Sequence, residues 1–514
     1  SLIPGISSAK ASQMPGIHDT ETSESGVHAA QAVGTKTCPE NSVAAGSDTV
    51  EGAPVCIHSV SSECADASSE CDSASSAEVS DVWERRIGLR TMTVRIEKDE
   101  WGECFAHEVN GVAIFAMGAA YIPEDCFLPR CNRERTEKLI QQCVLANYNA
   151  LRVWGGAYYP DDWFFDLCDE YGILVWQDLM FACSTYRLTE EFEANISEEI
   201  AQNIRRIRHH ACLALWCGNN EVEGMIIDDH YCSDPKLLGD YTRMYSYVIP
   251  KIVHREDPDA FYWPSSPSSG GDFDDPSDET RGDAHFWRVW HGFLPFPAYR
   301  RHNYRYTSEF GFESLPSVKT IESFTEPEDR NLFSYVMDRH QRSMNGYGKT
   351  MIYISQYFPY PDTMEKLVYA SQMMQAQAIR YGIEHWRRHR GECMGALVWQ
   401  LNDCWPVVSW SSIDYYGRWK ALHYFEKRSF ARILVSCHEE GLLTQNPNLN
   451  SRPYPLEKSI RMHVANETFE EQTVTVKWSL RDAASNIIGE ENEATVTVAP
   501  LSGEWLVKME YPDA

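Results

Sequence analysis

The chain has 514 residues, with 46 Lys and Arg against 75 Asp and Glu, and a formal net charge of −29. An acidic surface repels phosphate backbones and anionic bilayers, so nucleic acid and membrane are disfavoured as partners, and no run approaches the roughly 20 apolar residues that cross a bilayer. The length exceeds one typical domain and predicts a large core with accessory modules.

Residues 1–80 are rich in Ser, Ala, Gly and acidic side chains and poor in aromatics. Such a segment cannot bury enough apolar surface to offset its ordering entropy, which predicts disorder. It opens SLIPGISSAK, with neither an initiator Met nor the charged-then-apolar layout of a signal peptide, as in a trimmed precursor or a fragment. Cys38, Cys56, Cys64 and Cys71 cluster here at a spacing that fits no zinc pattern. The 16 cysteines are otherwise scattered through apolar elements, which predicts buried, reduced thiols. Those thiols and the lack of a signal pattern point to the cytoplasm, with a secreted or lysosomal location as the alternative.

From 81 to 111 the chain alternates like strands and carries the hairpin signal Asn110-Gly111, a pattern expected of the remnant of an immunoglobulin-like β-sandwich. Between 112 and 430, short apolar strands alternate with charged amphipathic helices. The candidate strands are AIFAMGAAY, NALRVWGG, GILVWQD, LALWCGNNE, AFYWPSS, AHFWRVW, RYTSEFGF and MGALVWQLND. Eight of them predict an α/β fold, a (β/α)8 TIM barrel. Between the first two, Leu139, Ile140, Cys143 and Val144 fall at helical spacing. Residues 431–514 read as a linker and a C-terminal β-sandwich module, shorter than the roughly 100 residues such a domain usually needs.

The chemistry concentrates where strands end, the face on which barrels keep their sites. In LALWCGNNEVEG the fourth strand runs straight into Asn220 and Glu221, and the seventh ends at Ser308-Glu309. Two carboxylates facing each other across a barrel mouth suit a retaining glycosidase: one, Glu221, as acid/base, the other, Glu309, as nucleophile. Arg152, ending the second strand, is placed to bind a carboxylate from the barrel floor, and Asn220 to reach a sugar 2-hydroxyl. Trp154, Trp287, Trp399 and Trp405 lie at or near strand ends, where an indole can stack on a pyranose, although packing explains any single one equally well.

At LWCGNNE, YWPSSPS, FWRVWHG, SEFGFES and VWQLNDCWP the chain closely resembles the β-mannosidases of glycoside hydrolase family 2, and the likeness runs from about 85 to at least 480. The resemblance implies a retaining exo-hydrolase that removes non-reducing terminal β-D-mannose, with Glu221 as acid/base, Glu309 as nucleophile, and Trp154, Asn220, Trp287 and Trp399 lining the pocket. It implies no metal and no organic cofactor, a β-mannoside or manno-oligosaccharide as the sole partner, and leaves the oligomeric state open. Two departures stand out. The family's Asn-Trp on the first strand is Ala120-Tyr121 here, and its Asn-His-Pro-Ser before the fourth is His209-His210-Ala211-Cys212, where a structural role is favoured over zinc. The domains that family members carry ahead of the barrel are replaced by the low-complexity stretch. The alternatives are therefore another exo-β-glycosidase of the family, a glucosaminidase or galactosidase, or a truncated barrel without activity.

Overall fold

Short runs of Ala, Val, Leu and Trp, most of them separated by helices, bury both faces side by side in a parallel sheet under a ring of helices. The computed structural model describes residues 84, 86–227, 234–271, 273–441, 444 and 455–511. The disorder expected for 1–80, and the four-cysteine cluster within it, lie outside the described residues.

Eight parallel strands form the centre: β1 Ala116–Tyr121, β2 Ala150–Val153, β3 Leu174–Asp178, β4 Leu213–Cys217, β5 Tyr262–Trp263, β6 Ala284–His285, β7 Thr307–Gly311 and β8 Gly395–Trp399. Each of the eight candidate segments supplies one. They pair in the order β5-β4-β3-β2-β1-β8-β7-β6. The β5 and β6 ends meet through an antiparallel bridge between Ser268 and Asp283. Asp283 ties the two ends together, accepting from the Trp263 indole (2.7 Å), the Ser266 hydroxyl (2.7 Å) and the Ser268 N–H (3.0 Å). Close pairing sets the residue type at Gly118 in β1, where a Cβ would stand 1.8 Å from the Ala150 carbonyl oxygen.

Helices α1 Arg133–Leu145, α2 Asp162–Tyr171 and α3 Glu190–Ile207 cover the β1 to β4 side. Asn132 caps α1 by accepting from the Arg135 N–H at 3.0 Å, and Leu139, Ile140 and Cys143 face the sheet as their spacing predicts. Val144 does not: at the edge of that stripe it is 39% exposed.

The stretch before the barrel forms a three-stranded antiparallel sheet, Met92–Arg95, Ala106–Val109 and Val112–Ile114. Asn110 (φ 50°) and Gly111 (φ 78°) make the turn with both residues left-handed, the geometry a two-residue hairpin demands. This sheet feeds the barrel a plug. Phe105 is buried against Trp263 (ring centroids 4.8 Å), Tyr306 (5.6 Å) and Trp176 (6.0 Å), inside the same cluster as Leu215 and Leu397. Beside it, burial holds His107 down to about 4, and its Nε2 lies 3.2 Å from the Tyr306 hydroxyl.

After the barrel, Ile433–Glu440 pairs with Ser459–Asn466, which also takes Ser502–Trp505 and Met509–Glu510, while Gln472–Arg481 and Ile487–Val498 form a separate hairpin. Met462, Val464, Val476, Val498 and Leu506 make the small core between these sheets. An ion pair from Arg390 to Glu467 (3.0 Å) joins this module to the barrel. No helix among the described residues is long and apolar enough to cross a membrane.

Phe105→Ala should destabilise the chain by about 3–5 kcal/mol, because it empties a ring-sized volume under the barrel that close-packed neighbours cannot fill. Denaturant unfolding of the variant beside the wild type measures it.

Candidate active site

The turn after β4 is built by backbone pairing before any side chain acts. Gly218 passes so close to β5 that a Cβ would meet the Pro264 carbonyl oxygen at 2.3 Å. Asn219 then divides its amide: Nδ2 donates to the Pro264 carbonyl (3.0 Å), while Oδ1 accepts from the Val222 N–H (3.0 Å) and starts the helix Val222–Ile227. Between them Glu221 takes φ 62°, a left-handed conformation unfavourable for a side chain of this kind, and its N–H is held by the Ser266 carbonyl at 2.8 Å. The strained residue is thereby aimed over the barrel mouth.

Across the mouth, β7 alternates in and out. Phe310 packs outward on Trp386 (4.7 Å), while Glu309 points inward and is 5% exposed, against 33% for Glu221. His285 at the end of β6 lies between the two: its Nδ1 is 2.9 Å from Glu221 Oε1 and 3.3 Å from Glu309 Oε2. One oxygen of each carboxylate and that nitrogen all fall within 4.8 Å of one another.

Arg152 on β2 lies beneath, with no exposed surface. Its Nη2 donates to Asp178 Oδ2 (2.8 Å) and to Asn220 Oδ1 (2.6 Å), and its Nη1 to Glu309 Oε1 (3.3 Å). Asp178 also accepts from the Trp176 indole (2.8 Å) and the Gly155 N–H (3.1 Å). The Trp287 indole donates to Glu309 Oε2 at 3.0 Å. At the rim, the Cys183 thiol donates to Glu221 Oε2 (3.4 Å) and accepts from Asn220 Nδ2 (3.2 Å).

Electrostatics separate the two carboxylates. Burial alone would raise Glu221, but the hydrogen bond and charge of His285, aided by Cys183 and Arg152, hold it below the usual carboxylate range. Burial raises Glu309 above that range, and the Glu221 charge adds to the rise against the opposing pull of His285, Arg152 and Trp287. Burial opposes a charge on His285, yet Glu309 and Glu221 together lift it above an ordinary histidine.

Of the residues singled out from sequence, Arg152, Asn220, Glu221, Trp287 and Glu309 converge here. Trp154 and Trp399 pack edge to face at 5.0 Å, and the Trp399 carbonyl oxygen and the Trp287 ring close on Gly311, where a Cβ would stand 2.4 and 2.8 Å from them. Trp405 stacks on His340 (4.7 Å), which itself lies on Phe324 (3.7 Å), and makes no hydrogen bond to Glu221 or Glu309. Tyr121 turns out of the mouth onto Phe164 of α2 (4.6 Å). His285, Asp178 and Cys183 were not singled out. Asp178 carries a signal, a carboxylate closing an apolar strand; the other two carry none.

An open cleft of about 620 Å³ lies above, lined by Cys183, Glu221, Met225, Pro267, His285 and Trp287, a volume suited to a small ligand. Three larger hollows, of about 770, 790 and 720 Å³, reach neither Glu221 nor Glu309. The Glu221, His285 and Glu309 donors could surround a cation, but Arg152 already places a fixed positive charge against Glu309. In the second such group, Asp169, His210 and Cys212, Asp169 accepts from His210 Nδ1 (2.8 Å) and the Cys212 N–H (2.7 Å), while His210 Nε2 is buried without a hydrogen-bond partner.

A parallel barrel whose mouth holds two close carboxylates over a buried arginine has the build of a glycoside hydrolase. No family model matches the chain. It is 37% identical to Beta-mannosidase B of Aspergillus terreus over 371 residues, 69% of this chain and 44% of that one, and to Beta-mannosidase B of Aspergillus niger over 370 residues with the same coverage. The crystal structure of a β-D-mannosidase from Dictyoglomus thermophilum superposes with TM-score 0.74 at 35% identity, over 83% of this chain and 50% of that one. An exo-chitosanase from Amycolatopsis orientalis, at 16% identity and TM-score 0.61, shares the fold alone. The chain belongs to glycoside hydrolase family 2, with the β-mannosidases as its relatives. It spans less than half the length of the curated relatives it matches.

Arg152→Met leaves two buried carboxylates without their cation and should cost about 3–5 kcal/mol of stability. Arg152→Met, Asp178→Leu, which removes one of those carboxylates as well, should recover part of the loss. Denaturant midpoints of both variants test this.

Proposed function

We propose that this chain is a retaining exo-β-mannosidase. The observation that carries the reading is the pair Glu221 and Glu309, within 4.8 Å of each other through one oxygen each, together with the likeness to β-mannosidases across the barrel. A separation this short suits direct attack by one carboxylate, whereas an inverting enzyme leaves room for a water between them. In the first step Glu309 attacks the anomeric carbon and Glu221 gives its proton to the leaving oxygen. In the second, water cleaves the glycosyl–Glu309 ester and Glu221 takes the proton back. Asn220, held by Arg152 and Cys183, is the group we assign to a sugar 2-hydroxyl, and we assign Trp287, Trp154 and Trp399 to the pyranose face.

These roles require Glu221 protonated and Glu309 ionised, whereas His285 holds Glu221 down and burial raises Glu309. The third of Glu221 that remains exposed is what a bound sugar covers. A sugar between Glu221 and His285 weakens their hydrogen bond, and burial then raises Glu221 towards the acid's role.

Hydrolysis of p-nitrophenyl β-D-mannoside by the 514-residue chain tests the reading. We expect turnover of the mannoside and not of the gluco, galacto or glucosamine analogues, and a loss of about 10²–10⁴-fold in kcat/KM for Glu221→Gln. Turnover of an analogue instead of the mannoside would reassign the substrate. A folded but silent chain would mean a barrel without activity.

His285→Gln supplies a second test. Removing the group that holds Glu221 down should raise the pH at which Glu221 loses its proton, so the basic limb of kcat/KM moves to higher pH. An unmoved limb would show that His285 does not govern Glu221.

A further inference from the structure

The loops that follow β1 and β8 meet beside the barrel mouth, and two thiols face each other there. Cys126 Sγ and Cys404 Sγ are 3.7 Å apart, although 278 residues separate them in the chain. The backbone around them is already fixed. The Cys126 N–H donates to the Cys404 carbonyl at 3.0 Å. Asn402 clasps the other loop, accepting from the Ile122 N–H (3.3 Å) and donating to the Ile122 carbonyl (3.0 Å). Asp125 is anchored by the Tyr415 hydroxyl (2.6 Å) and by Arg135 (3.4 Å). A disulfide needs sulfurs at about 2.05 Å, so a relative shift of roughly 1.7 Å completes the bond, within reach of side-chain rotation.

Exposure gives the pair an order. Cys126 is exposed and Cys404 partly covered, whereas Cys143, Cys168, Cys212, Cys217 and Cys393 are buried. Burial and the neighbouring Cys126 push the Cys404 thiol up to about 12. Cys126 is therefore the thiol a reagent meets, and Cys404 the one that follows by proximity.

We propose that Cys126 and Cys404 form an oxidisable dithiol, a modification site at which a low-molecular-weight disulfide staples the β1 and β8 loops together. The Cys126 thiolate attacks one sulfur of the oxidised reagent and releases one reduced thiol, leaving a mixed disulfide. Cys404, its proton passing to solvent, then attacks the Cys126 sulfur and releases the second. Two protein thiols are oxidised and one reagent disulfide is reduced to two thiols. The closed ring constrains the unfolded chain, and it encloses β2 to β8.

The full chain is incubated with oxidised glutathione or, in parallel, with reduced glutathione; free thiols are then alkylated, the protein digested for mass spectrometry and thermal unfolding recorded. We expect the oxidised sample to hold a linked pair of peptides containing Cys126 and Cys404, lighter by two hydrogens than their sum, and to unfold about 5 °C higher or more. Cys404→Ser should stop at a glutathione adduct on Cys126 with no rise in Tm, and Cys126→Ser should leave Cys404 unmodified. The proposal is overturned if wild-type Cys126 keeps its glutathione while Cys404 is alkylated, if Cys126 links to another cysteine, or if both thiols remain alkylatable.

Discussion

Everything at the mouth of this barrel is arranged around one buried cation. Arg152 lies at zero exposure in the barrel, where an unpaired charge would cost several kcal/mol. Its fork is satisfied by Asp178 from β3, Asn220 after β4 and Glu309 from β7. Three elements that sequence separates are thus brought to fixed positions on one planar group, which a lysine's single ammonium could not do. The relation runs both ways: the carboxylates make the cation tolerable, and the cation sets where they sit.

The same economy governs the closure of the sheet. At β5 and β6 only two residues each have strand geometry, too few for a ladder to hold the seam. Asp283 does it with side-chain bonds, gathering Trp263, Ser266, Ser268 and Ser308 around one carboxylate. Because Ser266 also pairs with the backbone of Glu221 and approaches His285 Nε2 at 3.1 Å, the seam and the site share their atoms. A change that loosened the seam would reach Glu221 through its own N–H.

Much of this was legible in the sequence, for a physical reason. A strand covered on both faces has no polar alternation, so the eight apolar runs stood out, and a polar residue directly after such a run had few places to go except the mouth. Asn220 and Glu221 announced themselves in that way, and Arg152 and Glu309, which lie within their strands, as charged residues in buried runs. His285 and Cys183 did not, because what makes them interesting is the distance to Glu221, and no spacing along the chain encodes it. Tryptophan near a strand end carried equal signals for packing and for binding, and Trp405 proved to be stacked on His340. The strands before the barrel read as a remnant of another domain, and Phe105, just before the second of them, is buried in the cluster on the barrel's floor.

Counting charge explains why Glu309 is raised while Glu221 is held down. Three carboxylates, Asp178, Glu221 and Glu309, meet one permanent cation and one imidazole, so even a protonated His285 leaves a surplus of one negative charge. The most buried of the reactive pair, Glu309, bears the cost of that surplus, and Glu221, partly exposed and bonded to His285, escapes it. In the reaction we propose, positive charge grows on the sugar ring between the two carboxylates. A surplus that is unfavourable in the empty site then becomes an attraction, and it is strongest at the point of highest positive charge. The site is thus matched to the charge of the transition state more closely than to that of the neutral ligand, which is the condition under which binding accelerates a reaction.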